Sequence, residues 1–266
     1  MVGLITKKHK GLGGKESLLL LSLARKGKKI FTIGDAGKIV KKPKKTVFSL
    51  ARKGWILRLK RGLYALVPLE IGPKGASAFT VHNFVIASCL TKPYYVGYWT
   101  ALNYYGLTDQ VPRTVFVAAL KPKKSVKILS TEFCFVKLVK KKFFGFKRIR
   151  IGECVVNISS KEKTIADCLD HPEHSAGIEE VAKAIFFNYN ELDIERIEAY
   201  LVKMNNLTAV KRLGFILDSC NLDYRVKSSL SRGFGLLDTL SPKKGPYCKK
   251  WLLLINKEIN PKKWFY

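Results

Sequence analysis

The chain of 266 residues carries 49 Lys and Arg against 20 Asp and Glu, a formal net charge of +29, and 47% of it is hydrophobic. That length holds one large domain or two modest ones, and the apolar content excludes a disordered chain. The charge points to a polyanionic partner, nucleic acid ahead of an anionic membrane surface, and the six scattered cysteines lack a C-x-x-C pair, which excludes a zinc ribbon or disulfide framework and fits reduced core thiols in the cytoplasm.

Residues 1–14 are basic and glycine-rich and read as a flexible arm. The apolar run Leu18–Ala24 follows a basic start, but it is short and has no small-residue cleavage site, so no signal peptide is expected. No segment approaches the roughly 18 apolar residues of a membrane span, and the protein is expected to be cytoplasmic. A first helix is predicted over 15–27, then an extended link at Ile30–Thr32. Thr32 caps a second helix to about Val40, with Asp35 in its first turn and Gly34 and Gly37 weakening it. Pro43 suits the first turn of a third helix, and Gly54 ends it.

Two strands follow, Ile56–Leu59 and Leu63–Val67, joined by the tight-turn sequence Lys60-Arg61-Gly62 and stopped by Pro68. Three helices and a hairpin are the order of a winged helix-turn-helix, assigned here to 15–70, with a linker at 71–77. Residues 78–266 read as a larger α+β domain. Its predicted helices lie near 78–91, 97–105, 160–170, 177–188, 193–204 and 207–220. Its predicted strands are 114–120, 126–129, 133–139 and 154–158, with a final strand at 247–256.

On a helix of 3.6 residues per turn, Lys45, Thr46, Ser49, Arg52 and Lys53 share one arc, and Val47, Phe48, Leu50 and Ala51 the other. Cations and hydroxyls on an outward arc suit phosphates and base edges. Arg58, Lys60 and Arg61 sit in the wing, and Lys38, Lys41 and Lys42 in the turn before the third helix. Residues 1–70 hold 18 Lys and Arg against 3 Asp and Glu, a far higher charge density than the remainder. A merely solvated amphipathic helix has no need of a basic β-turn after it.

A second basic stretch, Lys121–Arg150, alternates cations with Phe143, Phe144 and Phe146. It is an RNA-binding edge or, in the plainer reading, a lysine-guarded hairpin with a buried aromatic side. Tyr94–Leu107 reads as a core helix with tyrosine hydroxyls at its edge rather than a stacking box. In "SSKEKTIADCLDHPEH", Ser159 is expected to cap a helix while Glu162 reaches back. Asp167 is expected to be a partly buried carboxylate paired with Arg or capping a loop. Asp170, His171 and His174 gather behind it, but Pro172 disfavours a helix carrying both histidines, so no metal site is expected, and no cofactor. There is no glycine-rich phosphate loop, G-x-S-x-G or H-E-x-x-H, so no enzyme is expected.

Four stretches together resemble the AbiEi-type antitoxins of type IV toxin–antitoxin, or abortive-infection, systems. They are "VFSLARKGWILRLKRGLYAL", like the family's recognition helix and wing, and "YYVGYWTALNYYGLTDQVPRTVFVA". The others are "VVNISSKEKTIADCLDHPEHSAGIEEVAKAI", and "AVKRLGFILD" with a later "WLLLIN". The resemblance implies an N-terminal winged helix that binds double-stranded operator DNA and represses its own operon. It also implies a C-terminal domain that neutralises a nucleotidyltransferase-like toxin. Carried over, DNA contacts fall on Lys44, Lys45, Ser49, Arg52 and Lys53 and on Lys60 and Arg61 of the wing; Glu162, Lys163, Thr164 and Asp167 match the C-terminal motif without a catalytic role. Winged-helix repressors often act as dimers on inverted repeats. The alternative function is an RNA-binding or ribosome-associated basic protein using the 121–150 edge.

Overall fold

Leu19, Leu20 and Leu23 form one buried stripe on the first helix, α1 (Gly14–Arg25), and the first core grows around them. The computed structural model describes residues 11–265 apart from 69, 74, 76–78 and 231. The first ten residues of the expected arm and residues 74, 76 and 77 of the expected linker lie outside the described residues. The chain forms two compact units: one runs to Cys89 and takes in Ile128–Ser130, and the other comprises Leu90–Lys127 and the chain from Thr131.

In the first unit α1 is followed by β1 (Ile30–Thr32), α2 (Ile33–Gly37), α3 (Pro43–Lys53), the hairpin β2 (Ile56–Lys60) and β3 (Leu63–Leu66), and α4 (Asn83–Ser88). α2 stops at Gly37 rather than near Val40, because two glycines in so short a helix leave little to hold a further turn. Its start is as expected: the Thr32 hydroxyl accepts from the Asp35 amide, and the Asp35 carboxylate accepts from the Thr32 amide at 2.8 Å. β1 pairs antiparallel with β3 and β3 with β2. Phe31, Ala36, Val40, Val47, Leu50, Ile56 and Leu66 close the core over the leucines.

The second unit is built on a mixed six-stranded sheet of order β6-β7-β5-β4-β9-β8. Its strands are β4 (Tyr94–Val96), β5 (Thr114–Ala119), β6 (Val126–Ile128), β7 (Thr131–Lys137), β8 (Phe146–Ile151) and β9 (Cys154–Ser159). The helices are α5 (Tyr98–Tyr104), α6 (Lys161–Asp170), α7 (Ile178–Phe187), α8 (Ile194–Met204) and α9 (Leu207–Ser219). Ile165, Leu169, Val181, Ile185, Ile197, Leu201, Leu213 and Ile216 make their common core.

Three local expectations are corrected. β4 and β8 lie where no strand was expected. The N-cap of α6 is Ser160, one residue later than expected; its hydroxyl accepts from the Lys163 amide, while Ser159 bonds the Thr164 hydroxyl at 2.7 Å. The expected final strand at 247–256 is a hairpin, because a turn at 249–252, with Leu252 at φ 50°, folds β12 (Leu253–Leu254) back on β11 (Tyr247–Cys248). β10 (Gly235–Leu236) adds to it in parallel. Among the described residues no helix is long and apolar enough to cross a membrane.

Candidate nucleic-acid interface

α3 starts with Pro43 at its first position, where a missing N–H costs nothing, and ends on Gly54 at φ 82°, a left-handed cap that a side chain would strain. Val47 and Leu50 are fully buried, and with Pro43 and Gly54 they mark an i, i+4, i+7, i+11 stripe. Opposite that stripe stand Lys44, Lys45 and Arg52, all exposed, with Ser49 half-buried at the margin.

The outward face is turned by roughly 70° from the expected arc, and this moves three residues. Thr46 faces inward, 7% exposed, with its hydroxyl donating to the Lys42 carbonyl at 3.1 Å, so it is not placed to touch a ligand. Lys53 is drawn sideways: its Nζ donates to Glu16 Oε2 at 2.6 Å and to the Gly11 carbonyl at 2.8 Å. The pair is nearly enclosed, with side chains 15% and 11% exposed. Burial alone would raise the Glu16 carboxyl, but the Lys53 ammonium, the Gly13 amide and the Ser49 hydroxyl outweigh it and bring the group below its ordinary range. Phe48, expected inside, is 70% exposed between Lys44 and Arg52, one turn to either side. The spacing of Val47 and Leu50 with Pro43 and Gly54 was the signal that excludes Phe48 from the core stripe.

The hairpin that follows turns at Lys60-Arg61-Gly62, with Gly62 at φ 80°. Arg58 and Arg61 are exposed and Lys60 half-buried; the register slips between Arg58 and Lys60, so the strand does not alternate cleanly. Lys38, Lys41 and Lys42 are exposed ahead of α3. Between Asp35 and Glu70 the sequence has ten Lys and Arg and no acid. Among the described residues Lys53 is the only one of these ten in an ion pair. The rest leave a cationic surface with no internal counter-charge.

The other candidates resolve differently. Phe143 and Phe144 pack against the second unit's core, and Phe146 stacks on Tyr95 at 5.4 Å between centroids. Phe143 and Phe144 therefore face in, Phe146 covers Tyr95 while itself 38% exposed, and Lys147, Arg148 and Arg150 line an edge strand that pairs with the strand after it rather than within 121–150. Tyr95 and Tyr98 are likewise fully buried. Asp167 is wholly rather than partly buried, and it pairs with Lys163, one turn earlier, rather than with an arginine. The Tyr95 hydroxyl donates to Asp167 at 2.9 Å and accepts from Lys163 at 3.1 Å, and the ammonium lies 5.1 Å from the Phe144 ring centroid. Burial pushes the Asp167 carboxyl up in spite of that partner. Of the Glu162-Lys163-Thr164-Asp167 motif, Lys163, Thr164 and Asp167 are thus packed inside the second unit, and Glu162 is half-buried at its edge. His171, Glu173 and His174 bring donor atoms within 4.8 Å of one another.

Residues 19–67 match the AbiEi antitoxins, a family of transcriptional regulators. The AbiEi-type match begins in the buried leucines of α1, spans α2, α3 and the wing, and ends just past β3. Over nearly the whole chain the fold is similar to the crystal structure of the RV2827C protein from Mycobacterium tuberculosis. The TM-score is 0.62, at 14% identity, covering 92% of each chain. At that identity the likeness is one of fold, and it confirms the mixed α+β class. None of the curated proteins matches the chain.

Proposed function

We propose that this chain is a sequence-specific DNA-binding repressor that serves as the antitoxin of a type IV toxin–antitoxin pair. In this reading residues 15–70 bind double-stranded operator DNA and autoregulate the operon, and residues 78–266 neutralise a nucleotidyltransferase-like toxin in the cytoplasm. The observation that carries the reading is the outward face of α3, where Lys44, Lys45 and Arg52 stand without counter-charges around an exposed Phe48. The AbiEi-type match over the same residues supports it.

A helix with this face fits the major groove: Arg and Lys reach phosphates and guanine edges, and a bare phenyl ring fits a thymine methyl. Arg58, Lys60 and Arg61 of the wing supply backbone contacts, with Ser49 at the margin. Lys53 and Thr46 are left out of the contact set on their geometry.

The test is titration of the full-length protein with its own upstream DNA and with a scrambled fragment of equal length at physiological salt. Non-specific binding is there typically only about 10⁻⁴–10⁻⁶ M. The reading requires at least about 1000-fold tighter binding to the upstream fragment. Equal binding to both, or ready displacement by structured RNA, favours a general polyanion binder instead.

A further inference from the structure

Pro172 disfavours an α-helix carrying both His171 and His174, yet the turn it opens brings the two together. α6 ends at Asp170, and Pro172 opens a 3-10 turn, Pro172–His174, whose His174 amide donates to the His171 carbonyl at 3.0 Å. In 3-10 geometry side chains at i and i+3 eclipse. The two imidazole rings therefore lie 5.7 Å apart, with the Glu173 carboxylate beside them.

The surroundings resemble the outer shell of a metal site. His171 Nδ1 lies 2.9 Å from Glu173 Oε1, and its other nitrogen faces Asp170 Oδ2 at 3.4 Å. Asp170 is itself fixed by Lys142 at 2.7 Å and by Asn206. A carboxylate behind the second nitrogen of a ligating histidine sets its tautomer and orientation. Glu173 is aimed in turn by the Thr239 hydroxyl, which donates to its other oxygen at 2.6 Å. The Tyr98 ring packs edge-on to both histidines, with centroids 5.3 and 6.4 Å away. Its hydroxyl is buried with no hydrogen-bond partner among the described residues. The His171 and Glu173 side chains are each about one-third exposed, which leaves an entry path.

We propose that the His171–Glu173–His174 turn binds one divalent transition-metal ion of the zinc type. Two imidazoles and one carboxylate make a nitrogen and oxygen donor set suited to Zn²⁺ and its Co²⁺ substitute and ill-suited to Mg²⁺ or Ca²⁺, which take oxygen ligands. On binding, the ion replaces the His171–Glu173 hydrogen bond, and Asp170 accepts from the opposite His171 nitrogen.

The test uses the full-length protein, equilibrium dialysis against ZnCl₂ or MgCl₂ with elemental analysis, and absorption titration with CoCl₂. One zinc per chain is expected, no stoichiometric magnesium, and a cobalt spectrum of nitrogen and oxygen coordination. His171→Ala and His174→Ala are each expected to weaken zinc binding by about 100-fold or more, and Thr239→Ala by about tenfold. Because α6 lies beside the turn, circular dichroism accompanies each variant, and the cobalt spectrum of the unaltered protein does not depend on any variant folding. No stoichiometric zinc uptake, undiminished uptake by a folded His171→Ala/His174→Ala protein, or a thiolate-to-cobalt charge-transfer band from the free cysteines would each overturn the site.

Discussion

Helices α3 and α6 are of similar length, both carry lysines in the first turn, and they use those lysines in opposite ways. In α3 a narrow stripe is buried, so Lys44 and Lys45 project into solvent. In α6 every residue from Lys163 to Asp170 is buried, and Lys163 ends under Phe144 and Tyr95, neutralised by Asp167. Among the described residues the same residue type is an exposed, unpaired cation in one helix and a core strut in the other. What separates them is whether a carboxylate and a low-dielectric wall lie within reach. Lys53 shows the distinction inside α3 itself, since Glu16 draws it out of the contact face.

The most damaging substitution lies in α6. Removing one member of a buried ion pair leaves the other charge stranded, at a cost of about 3–5 kcal/mol. Lys163→Ala is expected to lower unfolding free energy in urea by that order, and Lys163→Met/Asp167→Leu to recover most of it. Unchanged stability in Lys163→Ala would remove the strut from the account. Next in size, Lys45→Ala/Arg52→Ala is expected to cost about 100-fold in operator affinity, with the thermal midpoint unmoved because neither side chain is packed.

Phe48→Ala tests the exposed ring of α3. Loss of a thymine-methyl contact is worth about 1 kcal/mol, roughly fivefold in affinity. The loss should vanish when the contacted thymines are replaced by uracil; an equal loss on both DNAs would make Phe48 a non-specific contact. The smallest effect is a pH dependence. Burial would raise the Asp35 carboxyl, but hydrogen bonds from Lys28 and from the Thr32 amide and hydroxyl prevail and lower it to about 2. A carboxyl lower in the folded than in the unfolded chain contributes stability above its unfolded pKa and loses it as pH falls through the folded value. The first unit should therefore weaken between about pH 4 and pH 2, and Asp35→Asn should flatten that slope in an acid titration followed by fluorescence.

The first unit was largely legible because its signals are local. Thr32 and Asp35, Pro43, Gly54 and Gly62 each fix a backbone position within a few residues. A phase drawn for α3 from apolarity alone comes out rotated, because Phe48 is apolar and yet exposed, and an exposed apolar residue is not by itself unusual. The second unit was less legible where pairing is long-range. β8 carries Lys147, Arg148 and Arg150 on a sheet edge, which masks strand alternation, and β4 is three residues of an aromatic run. Lys163 and Asp167, four apart on a helix, read equally well as a surface pair, and only tertiary packing encloses them. The His171 and His174 contact rests on a 3-10 turn, whereas the proline between them argues only against a helix carrying both.

In the proposed function the outward face of α3, and not basic charge at large, reads DNA. The most direct measurement is the ratio of affinities for upstream and scrambled DNA, across a salt series, for Lys45→Ala/Arg52→Ala beside Lys53→Ala. The double variant's ratio is expected to collapse towards one while Lys53→Ala keeps the ratio and affinity of the parent within about twofold. If Lys53→Ala loses specificity as the double variant does, or if both lose affinity equally for the two DNAs, charge alone accounts for binding and the recognition face is wrongly assigned.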